Sequence, residues 1–262
     1  MHRPVAALAI MVVVLAALPS GAARAERVRS GDLEVALNGG LAPLTLPRDR
    51  LVPIALTLAG RIDRVGSSGP PPQLRRLQVD VAGQGTLVTR GLAVCPRSRL
   101  ANADRRQALQ RCGQARVGWG WLGADIAVPH QPPFPLHGSL TAFNGRTEQG
   151  RPAIWLHLSA PNPPVAFVFP LRIERKRHGF RTKLTLRLPR ALGGLPHLTG
   201  FSLTLWRRFR HQGREQSYLN GSCPLPPALP AGVIDFAHGT FSFAGGRQVE
   251  AESIRSCRAR SE

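Results

Sequence analysis

The chain has 262 residues, 35 of them Lys or Arg against 15 Asp or Glu, a formal net charge of +20. That length can bury a proper core as one large all-β domain or two small ones. So positive a charge creates a field that draws in anionic polymers and surfaces, and the sequence offers few carboxylates for acid–base chemistry. Only Lys176 and Lys183 are lysines; arginine supplies the rest beside abundant Ala, Gly, Pro and Leu, a bias of the kind GC-rich codons produce.

The first element is apolar. Fourteen uninterrupted apolar residues, Val5 to Leu18, follow Arg3, and Pro19, Gly21 and then Ala23-Arg24-Ala25 follow them. A charged start, a short apolar run and a small-x-small site predict a secretory signal over residues 1–25. Fourteen residues rise only about 21 Å as a helix, too short for a hydrocarbon core of about 30 Å. Residues 26–262 then form a single domain carrying 33 basic and 15 acidic residues, a balance of +18.

From Gly31 onward almost every apolar segment alternates with period two, the pattern of a half-buried strand. LEVALNG, VPIALTLAG, LQVDVAG and TLVTRGLAV come first. A short helix is expected next, over RRQALQRC, with Asn102 or Asp104 as its N-cap and Gly113 as its stop. QARVGWGWL, ADIAV, LHGSLTAF, AIWLHLSA, VAFVFPLRIER, FRTKLTLRL, FSLTLWRRF, SYLNGS, GTFSFAGG and VEAESIRS complete the strand series. Pro- and Gly-rich punctuation separates them, and GSSGPPPQ, Gly66 to Gln73, is the best candidate linker. Too little chain precedes it for a separate domain. No helical crossovers are present to join parallel strands, so the predicted fold is an antiparallel β-sandwich of jelly-roll kind with one short helix.

Cys95, Cys112, Cys223 and Cys257 form an even set, which export turns into disulfides. Four cysteines allow three connectivities. The pairing Cys95 with Cys112 and Cys223 with Cys257 is favoured, because each pair flanks one local excursion and closes the shorter loops. Loop entropy alone assigns these bridges roughly 3 and 4 kcal/mol. The first would pin the helix through Ala108, Leu109 and Cys112, with its arginines pointing outward.

Gly118, Gly120 and Gly123 match GxGxxG, but no βαβ unit surrounds them. The stretch reads instead as a strand with Val117, Trp119 and Trp121 on one core-facing side and Gly118 and Gly120 permitting close backbone approach or a bulge on the other. Stacking of the two tryptophans on sugars is the alternative.

Together VTRGLAVCP, ALQRCGQARVGWG, AFNG, SYLNGSCPLPP and FSFAGG resemble a family of secreted, uncharacterised proteins from high-GC actinobacteria. The resemblance spans most of residues 26–262. It implies a shared disulfide-stapled domain and supplies no activity or site residue.

Catalytic patterns are sparse. GxSxG and HExxH are absent. His130 and His137 bracket a proline-stiffened loop that Asp125 or His157 would complete as a metal site, and Asp235 and His238 have dyad spacing without a nucleophile. No metal and no cofactor are expected. Asp80, Asp125, Glu174 and Asp235 are conceivable members of a glycosidase pair, so a polymer hydrolase assembled from distant carboxylates or histidines is the alternative function. The leading expectation is a non-enzymatic binding or structural β-sandwich, secreted or in the cell envelope. In VFPLRIERKRHGFRTKLTLRLPR the alternation turns Arg172, Lys176, Arg181, Lys183 and Arg187 onto one face, an anion-binding surface for teichoic acid or acidic polysaccharide. Nucleic acid has less support, since Phe180, Trp206 and Phe209 form no regular stacking ladder.

Overall fold

The computed structural model describes residues 26–176, 180, 182–189 and 195–260. The expected signal, residues 1–25, and Arg181 of the expected anion-binding hairpin lie outside the described residues. The elements are β1 (Glu26–Ser30), β2 (Leu33–Ala42), β3 (Thr45–Leu46), β4 (Val52–Pro53), β5 (Ala55–Arg64), β6 (Leu74–Val81), β7 (Gly85–Leu87), α1 (Arg97–Leu100), α2 (Arg105–Cys112), β8 (Arg116–Ile126), β9 (Phe134–Arg146) and β10 (Pro152–Pro161). They continue as β11 (Pro164–Arg175), β12 (Thr182–Arg187), β13 (Pro196–Leu205), β14 (Arg208–His211), β15 (Arg214–Ser217), β16 (Leu219–Gly221), β17 (Ala231–Phe243) and β18 (Gln248–Ala259).

Thirteen strands make one curled sheet in the order β1-β2-β5-β13-β8-β9-β10-β11-β12-β6-β17-β18-β3. Its pairings are antiparallel, apart from a short parallel contact that sets Arg258 beside Thr45. The alternation seen in the sequence decides which face each residue takes. In β2, Leu33, Val35 and Leu37 are buried while Glu34, Ala36 and Asn38 face outward. In β5, Leu56, Leu58 and Ile62 repeat the pattern against Thr57, Ala59 and Arg61. Leu58, Leu140, Leu156, Leu171, Leu184 and Leu77, from six strands along both arms of the sheet, line one small void of about 50 Å³. The two packed layers of this sandwich are therefore arms of a single sheet around one core.

Where the arms meet, side chains join β2 to the β17–β18 hairpin. Arg255 of β18 donates to the Gly39 carbonyl and to Asn38 Oδ1. Asp32, in the β1–β2 turn, accepts from Arg64 Nε at 2.8 Å and from Arg247 at 2.6 Å. These two guanidinium contacts hold the Asp32 carboxyl below its usual range, at about 2. Such closure shields edge strands that would otherwise offer unpaired backbone groups to other chains.

GSSGPPPQ is the crossing between β5 and β6. His197 Nδ1 donates to the Pro71 carbonyl at 2.6 Å and Gln73 Nε2 to the Pro196 carbonyl at 3.4 Å, so the segment packs on the start of β13. Both disulfides have the favoured pairing, with Cα separations of 5.6 Å for Cys95–Cys112 and 6.0 Å for Cys223–Cys257. Among the described residues no cysteine is free, and no helix is long and apolar enough to cross a membrane.

Candidate functional site

One end of the outer sheet face is covered by a small cap. Asp104 caps α2 by accepting the Gln107 backbone N–H at 2.8 Å, and Gln107 Oε1 accepts the Asp104 N–H at 3.1 Å. Leu100, Ala103, Ala108 and the Cys95–Cys112 bridge pack on Phe143 of β9 and Trp155 of β10. His157 is buried beneath this cap and its Nε2 donates to the Ala103 carbonyl at 2.7 Å. It therefore holds the cap down, while His130 and His137 stay exposed. Among the described residues no group of three or more His, Cys, Asp or Glu is placed to hold a metal ion.

The cap turns Arg97, Arg99, Arg105, Arg106 and Arg111 to solvent, with Arg116 exposed where β8 begins. Asp104 is the one carboxylate between residues 97 and 116. Five arginines on a two-helix excursion, fixed by a disulfide and a capping box, form a basic surface that the outward-pointing arginines of the sequence signalled but did not localise.

β8 runs away from the cap, and there the sequence expectation is corrected. The register between β8 and β9 shifts between Arg116 and Gly118, so Val117 is an extra, bulged residue. A one-residue shift exchanges the faces of everything beyond it. Val117 is buried, but Trp119 and Trp121 point outward and are 46% and 49% exposed. Gly120 takes the inner side, where a Cβ would collide with the Ser202 carbonyl of β13, so the close approach expected of the glycines is present. Trp119 meets Trp206 edge-on, with ring centroids 6.4 Å apart.

Beyond Trp121 lies a groove of about 450 Å³ on the outer face of β1, β2, β5, β13, β8 and β9. Ala36, Ala59 and Gly200 contribute small residues to it, and Trp121 and His137 larger ones. A Cβ on Gly200 would stand 3.2 Å from Trp121 Cη2, so the far edge of the indole reaches over that glycine. Glu34 and Asp63, direct partners across β2 and β5, face the groove with Arg27 3.4 Å from Glu34 and Arg61 2.7 Å from Asp63. Arg116, Trp119, Trp121 and the groove edge at Gly123 thus succeed one another along one strand. At about 3.4 Å per residue they span roughly 24 Å.

The β11–β12 hairpin carries the residues chosen from the sequence. Leu171, Leu184 and Leu186 are buried, and Arg172 and Arg187 are exposed. Lys183 stands between Glu174 on β11 and Asp80 on β6, and Lys176 Nζ lies 2.8 Å from Asp80 Oδ1. Charges of both signs therefore alternate in this row, while Arg172 and Arg187 have no ion-pair partner among the described residues. Of the histidine and carboxylate candidates, His238 lies 3.5 Å from Glu250 of β18.

No protein-family model matches the chain, and no curated protein or solved structure matches it either.

Proposed function

We propose that this is an extracytoplasmic binding protein, without a catalytic role, whose outer face holds an acidic polysaccharide of the cell envelope or its surroundings. Export rests on reading residues 1–25 as a signal, and the two disulfides support it. The observation that carries the reading is the bulge at Val117, which turns Trp119 and Trp121 into solvent on a strand that begins beside the arginine-bearing cap. Exposed indoles offer flat apolar faces for sugar rings, and arginine forks pair bidentately with carboxylate groups. The carboxylates, guanidiniums and Asn38 of the groove add donors and acceptors for hydroxyls. Arg172 and Arg187 belong to the same reading as a second site of positive charge on the β11–β12 hairpin, where Lys176 and Lys183 stand beside Asp80 and Glu174; Arg181 lies outside the described residues.

The test is charge reversal against two probes, polygalacturonate and inorganic polyphosphate. Arg105→Glu with Arg106→Glu should weaken both at least tenfold, and Arg172→Glu with Arg187→Glu should weaken them less. Polyphosphate, like a teichoic-type polyol phosphate, has charge without stackable rings and should be indifferent to Trp121→Ala. A parent protein that binds neither probe at low salt, or a cap variant that binds as well as the parent, would overturn the reading.

One observation favours hydrolysis instead: Glu34 and Asp63 stand side by side on neighbouring strands in a groove that holds an exposed tryptophan. New reducing ends released from polygalacturonate by the parent but not by Asp63→Asn would establish that reading in place of simple binding.

A further inference from the structure

Among the described residues, the curled sheet is not filled at one end. A cavity of about 230 Å³ opens where β8, β10 and β12 finish and β9, β11 and β13 begin, and Leu122, Ile126, Leu136, Phe167, Leu188 and Leu198 are among its walls. It shares Leu122, Phe169, Leu188 and Leu198 with the void of about 50 Å³ deeper in the core. Native interiors seldom leave space larger than a water molecule, and an apolar cavity of about 150 Å³ already suffices for benzene. Among the described residues the lining is nearly all hydrocarbon, and its polar exceptions, Gln73 and Arg75, come from the start of β6. Gln73 is engaged with the Pro196 carbonyl. Arg75 is half-buried, gives its backbone carbonyl to the Leu188 N–H, and has no ion-pair partner among the described residues.

We propose that this cavity binds the hydrocarbon chain of a fatty acid, with the Arg75 guanidinium holding its carboxylate at the mouth. An apolar pocket with one convergent charge is the usual form of a small-molecule site, the walls giving affinity and the charge fixing orientation. A neutral lipid leaves Arg75 without a partner; a short polar anion leaves the walls wet. The site lies on the inner face of the sheet, apart from the outer-face track, and does not depend on the polysaccharide reading.

The experiment titrates the purified protein with dodecanoate and with dodecanol, below their aggregation limits, by calorimetry. Dodecanoate should bind one to one, and Arg75→Ala should weaken it about tenfold while leaving dodecanol unchanged. Ala124→Leu, which adds bulk to the cavity wall, should weaken both ligands. Circular dichroism and the unfolding temperature of each variant separate a blocked pocket from a lost fold, and Arg75→Lys, which keeps the charge, should retain most of the affinity. If dodecanoate fails to bind the folded parent protein, or if Arg75→Ala weakens dodecanol equally, the assignment is wrong.

Discussion

The indole of Trp121 lies over Gly200 of the neighbouring strand, where a Cβ would come within 3.2 Å of the ring. The far edge of the indole is therefore held close over the Gly200 and Gly123 positions while the residue stays half exposed. A branched side chain at position 200 should lift the ring. Gly200→Val is expected to weaken polygalacturonate binding several-fold, and Trp121→Ala about tenfold, a loss of about 1.4 kcal/mol. Because Trp121 is half exposed, Trp121→Ala should leave the unfolding temperature within a degree or two. Isothermal titration beside thermal unfolding checks both.

The period-two pattern that made the all-β fold legible also explains the error at Trp121. Alternation reports a face only while register is unbroken; Gly118 and Gly120 allow a bulge in RVGWGWLG, but the pattern does not mark Val117 as the residue that bulges. TLVTRGLAV fails for another reason. Only Thr86 and Leu87 of it are strand, in β7. The rest wraps toward the cap, where Asn144 Nδ2 donates to the Ala93 carbonyl and the Cys95 N–H to the Asn144 carbonyl. Those partners lie some fifty residues away, beyond any local pattern. β1 is polar and was invisible to a hydrophobic reading, and the neighbours β5–β13 and β12–β6 pair strands that no hairpin joins.

Removing the Cys95–Cys112 bridge should do more than lower stability. The bridge closes a loop with a sequence separation of 17, worth roughly 3 kcal/mol by chain entropy. Cys95→Ala with Cys112→Ala should lower denaturant stability by about that amount and loosen the cap over Trp155, shifting tryptophan emission to the red. Binding of polyphosphate should fall with it. Unchanged emission would mean that His157 and the packing beneath the cap suffice without the bridge.

Asp32 gives a pH prediction with a definite sign. Its folded-state carboxyl titrates at about 2, below the ordinary value of 3.8. Its contribution to stability is therefore fully present above that ordinary value and is lost as pH falls toward 2. Asp32→Asn should be less stable than the parent at pH 6, and the difference should shrink as the pH is lowered through that window. A difference that is constant from pH 6 to pH 2 would mean that the contacts with Arg64 and Arg247 contribute nothing through charge.

Tyr218 is wholly buried, and its hydroxyl has no hydrogen-bond partner among the described residues. Burial pushes the phenol up, well above its ordinary value. An unsatisfied buried hydroxyl costs about 1–3 kcal/mol, so Tyr218→Phe should be neutral or stabilising in chemical denaturation. A loss above about 1 kcal/mol would show that the hydroxyl is bonded.

The central claim is that aromatic stacking and arginine charge act together along β8, and polygalacturonate titrations at two salt concentrations test it most directly. Charge contacts weaken steeply with salt, whereas stacking does not. At 50 mM salt the parent should bind more tightly than Trp119→Ala with Trp121→Ala. At 500 mM it should bind more weakly than before but still measurably, and the double tryptophan variant should not bind at all. Equal affinities of the parent and the tryptophan variant at both salt concentrations would contradict the account.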